Sequence, residues 1–237
     1  MWTKGLYLWG IILIVLLLIF PSFSQAAKNT NNSPRIFIQY FGKPTVCRQT
    51  TNDQVNIFGW GGWKMQSGLT DYRINYSTMP SYLPRELVTA VFDLSFSTLQ
   101  GAGGGILFHS AGSSTESSPS NNGQNTIMWK ALPVGYVAIT YIWTDANGRL
   151  AGADTIFNTR YRWSYTHYTG SNDCGGLKST FDLRDVATHE FGHWMGLGDL
   201  YNLEARDLTM YGYASRGELK KSTLGLGDIT GARAVWP

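Results

Sequence analysis

Two histidines stand four residues apart in the run His189-Glu190-Phe191-Gly192-His193-Trp194-Met195-Gly196-Leu197-Gly198-Asp199, and no other stretch of the chain limits its structure as much. On an α-helix, residues four apart lie about 40° apart around the axis and about 6 Å along it, so both imidazoles can reach one metal ion. Glu190 follows the first histidine. Its carboxylate therefore falls beside the ion rather than on it, placed to take a proton from a metal-bound water. Gly196 lets the helix stop and the chain turn sharply, so Asp199 can swing back as a third ligand. Two nitrogen ligands, one oxygen ligand and a water make the open four-coordinate site of a catalytic zinc. A structural zinc is closed by four protein ligands, usually including Cys, and no Cys is near. A chance pairing of two solvated histidines would not be expected to bring Glu190, Gly196 and Asp199 with it. The pattern predicts a helix over 183–197, with Asp185 favourable in its first turn.

The chain has 237 residues, enough for one domain with a core that needs no staples. Lys and Arg number 19 against 16 Asp and Glu, a near balance that leaves no basic stripe for nucleic acid. Aromatic residues reach 14%, too many for a disordered chain. Lys4 precedes an uncharged apolar run from Leu6 to Phe20, broken by Pro21, and Ser24-Gln25-Ala26 offers small residues for cleavage. Residues 1–26 therefore read as a secretory signal cut after Ala26. The alternative is an uncleaved anchor, but the run is shorter than the roughly 20 residues that span a bilayer. Export permits a disulfide, and Cys47 and Cys174 can pair in only one way. The alternative role for Cys47 is a thiolate that plugs the metal site of a latent form.

Residues 27–34 are polar and read as a leader, and 27–56 as an N-terminal segment, either a removed propeptide or an extension tied on by the disulfide. Ile36-Phe37-Ile38 and Val46 suggest short extended pieces separated by turns. Residues 59–63 read as a loop and 72–76 as a strand. Pro84 opens a helix expected to reach Thr98, with Leu87, Val88, Val91, Phe92 and Leu94 at helical spacing. Residues 110–124 are mostly Ser, Gly and Asn with almost nothing apolar, and read as a mobile surface loop. Strands are expected at 126–129, 136–143 and 154–158, with Asp145-Ala146-Asn147-Gly148 as a hairpin turn. Residues 160–173 are aromatic-rich and irregular. After the zinc helix comes a loop over 198–222 and a third helix over 224–235 capped by Asp228. This is an α+β chain with a twisted mixed sheet and three helices.

The run 189–199 resembles the metzincin zinc motif, whose usual third ligand is His; Asp at that place also occurs in some members of the clan. Leu208-Thr209-Met210-Tyr211 resembles the metzincin Met-turn, which puts a methionine, here Met210, under the zinc. Tyr213 falls where some metzincins carry a tyrosine near the metal, and reads either as a metal or oxyanion partner or as a packed loop residue. Trp63 with Tyr72-Arg73-Ile74-Asn75, the helix 83–98 and the closing segment 224–231 narrow the likeness to matrixins. Ala153-Asp154-Thr155-Ile156 resembles their substrate-binding edge strand. The likeness covers residues 63–237. It implies a zincin-like catalytic domain over 57–237. With His109 and His167 alone outside the motif, no second zinc cage is expected. Calcium is not supported either, since Asp145 and Asn147 read as turn formers.

What this implies is a secreted, monomeric zinc endopeptidase acting on protein or peptide substrates, with no nucleic-acid or membrane partner once the signal is gone. His189, His193 and Asp199 would hold the zinc and Glu190 would serve as general base and acid. The alternative is a non-catalytic exported binding or adhesion module on the same scaffold. His167 reads as packing, His109 as solvated, and Glu204, Asp207 and Glu218 as surface charges.

Overall fold

The computed structural model describes residues 33–235 apart from 48, 50, 51, 66, 67 and 104. The segment 1–26 read as a secretory signal lies outside the described residues. Among those residues no helix is long and apolar enough to cross a membrane.

Seven strands form one mixed sheet: β1 (Arg35–Val46), β3 (Gly68–Ile74), β4 (Ile106–Ser113), β5 (Thr126–Lys130), β6 (Tyr136–Thr144), β7 (Leu150–Asn158) and β11 (Tyr213–Arg216), in the order β11-β1-β6-β7-β5-β3-β4. Four short strands, β2 (Gly59–Trp60), β8 (Trp163–Ser164), β9 (Phe181–Asp182) and β10 (Leu197–Gly198), pair β2 with β10 and β8 with β9. Three α-helices complete an α+β architecture: α1 (Arg85–Gln100), α2 (Leu183–Trp194) and α3 (Leu226–Val235).

Helix α1 forms because Val88, Val91, Phe92, Phe96 and Leu99 recur at three- and four-residue spacing and bury one face. That face meets α2 through Phe96, whose ring stacks on Phe191 at 4.0 Å, and Phe92, edge-on to Phe191 at 5.4 Å. Trp63, Tyr72, Phe157 and Trp194 fill the same core between helices and sheet. Met128, Leu132, Ile139 and Ile156 form a smaller cluster apart from it. The hairpin turn is local chemistry: Asp145 Oδ1 accepts the N–H groups of Asn147 and Arg149, and Gly148 takes φ +70°.

Three expectations change. Residues 35–46 are one twelve-residue strand, not short pieces between turns. Their alternating pattern finds partners far away in sequence: β6 on one side, antiparallel, and β11 on the other, parallel. Residues 35–46 of the 27–56 segment thus lie inside the sheet that the rest of the chain builds. Residues 153–156 are not an edge. They lie in β7, paired with β5 and β6, because β6 folds back antiparallel along β7. Asp207 and Glu218 are buried rather than on the surface. Glu218 accepts the Ser215 N–H at 2.7 Å and pairs with Lys220 and Lys221, both at 3.3 Å.

The stretch after β4 is also held. Asp154, buried on β7, accepts the N–H of Thr126 at 2.8 Å and that of Ser120 at 2.9 Å. Burial, with a contribution from Glu116, pushes the Asp154 carboxyl up to about 7 against those two bonds. A carboxyl whose folded pKa lies above its unfolded value of 3.8 contributes stability that is full below 3.8 and lost as pH rises through about 7. We expect Asp154→Asn to remove this slope, worth roughly 4 kcal/mol at most, on top of a pH-independent cost for the lost acceptor. Urea midpoints of the two chains at about pH 5 and about pH 8 check it.

Candidate metal centre

Helix α2 starts where Asp182, its N-cap, accepts the N–H groups of Arg184 and Asp185. It ends three residues sooner than the sequence pattern predicts, at Trp194. The reason is Gly196, which takes φ +97° and lies so close to Trp63 that a Cβ there would stand 2.6 Å from its carbonyl oxygen. The sharp exit lets β10 pair with β2 and carries Asp199 back towards the helix.

His189, His193 and Asp199 come together, each offering one ligand atom within 4.8 Å of the others, and could hold a metal ion. Asp199 Oδ1 stands 3.3 Å from His189 Nε2 and 3.7 Å from His193 Nε2. Ligand atoms bound tetrahedrally at zinc distances lie about 3.3 Å apart, so this spacing fits. Both Nδ1 atoms face backbone carbonyls, of Thr209 at 2.8 Å for His189 and of Leu197 at 2.9 Å for His193. A carbonyl only accepts, so both Nδ1 atoms carry the proton and both Nε2 lone pairs point inward. There they meet the Asp199 carboxylate, and none of these three atoms has a hydrogen-bond partner although all are buried. Three convergent electron pairs away from solvent favour a cation between them, a proton or a metal ion.

The two rings titrate in opposite directions. Burial holds His193 down to about 4, so it is neutral, as a ligand must be. At His189 burial is outweighed by the facing Asp199 carboxylate, and its pKa is raised. Positive charge is favoured between these groups.

Glu190 is fully buried beside them. Its Oε2 accepts a 2.6 Å hydrogen bond from Thr140 on β6. Thr140 Oγ1 lies 2.8 Å from Thr155 Oγ1, which accepts the Trp194 indole N–H at 2.9 Å. One consistent ordering runs Trp194, Thr155, Thr140, Glu190, each donating to the next. It fixes Oε2 and leaves Oε1 unpartnered. Burial pushes the Glu190 carboxyl up to about 7, against the opposing pull of His189 and Thr140. That places it near neutrality, where a group can both take and return a proton.

Met210 packs directly beneath α2: a methyl group on Gly192 would collide with its sulfur. The turn that carries it is pinned by Asp228, which accepts the N–H of Thr209 at 2.8 Å, of Met210 at 3.0 Å and of Gly225 at 2.9 Å. Asp228 lies inside the first turn of α3 and caps backward onto Gly225 while also holding the turn that orients His189. We expect Asp228→Ala to cost about 2–4 kcal/mol, from three buried N–H groups left unpaired. Metal binding should weaken by roughly tenfold or more as His189 loses its support. Urea denaturation and a zinc titration check the two parts.

Tyr213 stands in a cluster of tyrosines, its ring 6.0 Å from Tyr40, 5.7 Å from Tyr201 and 5.4 Å from Tyr211. The Tyr201 phenol reaches the centre, its OH donating to Asp199 Oδ2 at 3.1 Å. Cys47 and Cys174 are joined in a disulfide, so Cys47 is not a thiolate plug. His109 faces Asp71 at 3.0 Å on the exposed side of β4, and His167 lies 3.5 Å from the Tyr165 hydroxyl.

The centre is covered. His189, Glu190 and His193 are wholly buried and the Asp199 side chain is 7% exposed. Part of the cover is β1: Phe37 stacks on the His193 ring at 4.3 Å. Sequence reasoning missed β1, Thr140, Thr155, Tyr201 and the reach of Asp228. A signal existed for two of these elements, since Gln39 and Thr140 are polar residues inside apolar runs that read as strands. No protein-family model matches the chain, and no curated protein matches it.

Proposed function

We propose that the chain is an exported zinc-dependent endopeptidase of the metzincin type, matrixin-like, working as a monomer on protein or peptide substrates. The observation that carries this reading is the convergence of His189 Nε2, His193 Nε2 and Asp199 Oδ1, all buried and unpartnered, with Glu190 Oε1 free beside them. A zinc ion held there would supply a Lewis acid for the scissile carbonyl and would lower the pKa of a water. Two imidazoles and one carboxylate are the donor set of an open, catalytic zinc site rather than a closed structural one. The chain's own residues do the rest. Thr140 holds Glu190 by Oε2, so Oε1 takes the proton of the attacking water and returns it to the departing amine. The ladder of β6 away from β7, which β1 fills in the structure, is one along which an extended peptide could lie by β-addition once β1 is displaced.

The complete burial of the centre is the observation that favours a second reading, a binding module without catalysis. One experiment separates the two. Casein cleavage is assayed with and without a zinc chelator, on the chain as purified and on the chain cut between Cys47 and Asn52, reduced and desalted. Chelator-sensitive cleavage in either sample supports the peptidase. A zinc-loaded protein inactive in both supports the binding module.

A further inference from the structure

Strand β1 is held in an unusual way. From Arg35 to Gln39 it runs antiparallel to β6, pairing Phe37 with Thr140 and Gln39 with Ala138. At Tyr40 the register shifts, and from there it runs parallel to β11, pairing Tyr40 with Tyr213 and Phe41 with Ala214. The crossing point is tied to both walls: Tyr40 N–H donates to Gly212 O at 2.9 Å and Phe41 N–H to Gly135 O at 2.7 Å. An extended chain clamped between two strands by main-chain bonds is how a cleft binds a peptide irrespective of its sequence.

The crossing point also lies on the metal centre. On one side Phe37 stacks on His193, and its register partner Thr140 holds Glu190. On the other, Tyr40 bonds Gly212, and a Cβ on Gly212 would stand 3.1 Å from Asp199 Oδ1. Between them is Gln39. Side chains alternate along a strand, so Gln39 shares the face of Phe37 and Phe41, which pack on the core that contains α2; Ile38 packs on the other cluster. Gln39 is fully buried, and neither its amide oxygen nor its amide nitrogen has a hydrogen-bond partner. A buried amide without partners is rare. This one lies two residues along the same strand face from Phe37, which stacks on His193 and whose register partner Thr140 holds Glu190.

We propose that β1 occupies the peptide cleft of this centre as an internal, substrate-like strand, and that the Gln39 carboxamide is the group it presents to the metal, keeping the chain latent until β1 is displaced. This rests on the metal-centre reading above. Latency here does not use a cysteine thiolate, since Cys47 instead fastens the end of β1 to Cys174. A cut between Cys47 and Asn52 therefore leaves β1 tethered, and release also needs the disulfide reduced. The body beyond the cut keeps its hold, because Asp53 O accepts the N–H of Leu226 at 2.8 Å and the chain at Val55 and Ile57 packs on Gly227.

The test uses the full chain loaded with cobalt(II) as a visible probe, with residues 48–51 replaced by a site-specific protease sequence. Acetohydroxamate is the reporter ligand. If β1 leaves the cleft in fewer than about one molecule in a hundred, the intact chain should bind acetohydroxamate roughly a hundredfold more weakly than the released one. Chains only cut, or only reduced, should behave as intact. In the intact chain Gln39→Ala should change the cobalt absorption spectrum, as an amide oxygen gives way to water. Equal hydroxamate binding before and after release, or an unchanged Gln39→Ala spectrum, overturns the proposal. His189→Ala distinguishes the layers. If cobalt binds no better to the wild type than to His189→Ala, the metal-centre reading fails and this proposal with it. If cobalt binding needs His189 but neither release nor Gln39→Ala matters, the strand proposal alone falls.

Discussion

Replacing Glu190 by Gln should lower peptide hydrolysis by the released chain by about 10²–10⁴-fold, the contribution of a positioned general base. That is roughly 3–5 kcal/mol of barrier. The substitution is nearly isosteric, and the amide oxygen of Gln can still accept the Thr140 hydroxyl that now bonds Glu190 Oε2 at 2.6 Å. What it cannot do is take a proton. His189, His193 and Asp199 are untouched, so zinc content should stay at the wild-type level. Rate measurements on casein at equal zinc occupancy make the comparison. A variant that keeps more than about a tenth of the wild-type rate would remove Glu190 from the chemistry.

The second large effect concerns the disulfide. Cys47 and Cys174 are 127 residues apart in sequence, and opening so long a loop should cost about 5 kcal/mol through the entropy regained by the unfolded chain. The Cys47→Ala/Cys174→Ala double variant should therefore unfold at a clearly lower urea concentration at equal zinc occupancy. A loss under about 1 kcal/mol would mean that β1 and the 173–180 region stay together in the unfolded ensemble. The bond ends one strand of the sheet and precedes α2, so its removal should also speed hydrogen exchange along β1 before the core opens.

The convergence of His189, His193 and Asp199 is legible in the sequence because its determinants are local. The i, i+4 spacing of His189 and His193 is a helical fact, and Gly196 marks the exit that brings Asp199 back. Asp145 and Gly148 made their turn for equally local reasons. What escaped depended on pairing across long separations. Residues 36–41 alternate as a strand should, yet nothing in them says that β6 and β11, about 100 and 175 residues on, are the partners. The same is true of Asp154, whose acceptors are used by Ser120 and Thr126, and of Glu218, which reads as surface charge until Lys220 and Lys221 fold over it. Residues 153–156 are no edge because β6 pairs back along β7, and β1 and β11 follow beyond it, leaving β11 and β4 as the outer strands. Tyr201 bonds Asp199 through the path of the loop after β10, for which the sequence carries no periodic signal.

Zinc removal and restoration is the most direct measurement. The released chain is stripped with a chelator, dialysed, and titrated with zinc while casein cleavage is followed. The stripped protein should not cleave and should recover fully at one zinc per chain, with no recovery for His193→Ala at the same concentration. Cleavage that persists in the metal-free protein, or that returns equally in His193→Ala, would contradict a zinc-dependent reaction at this centre.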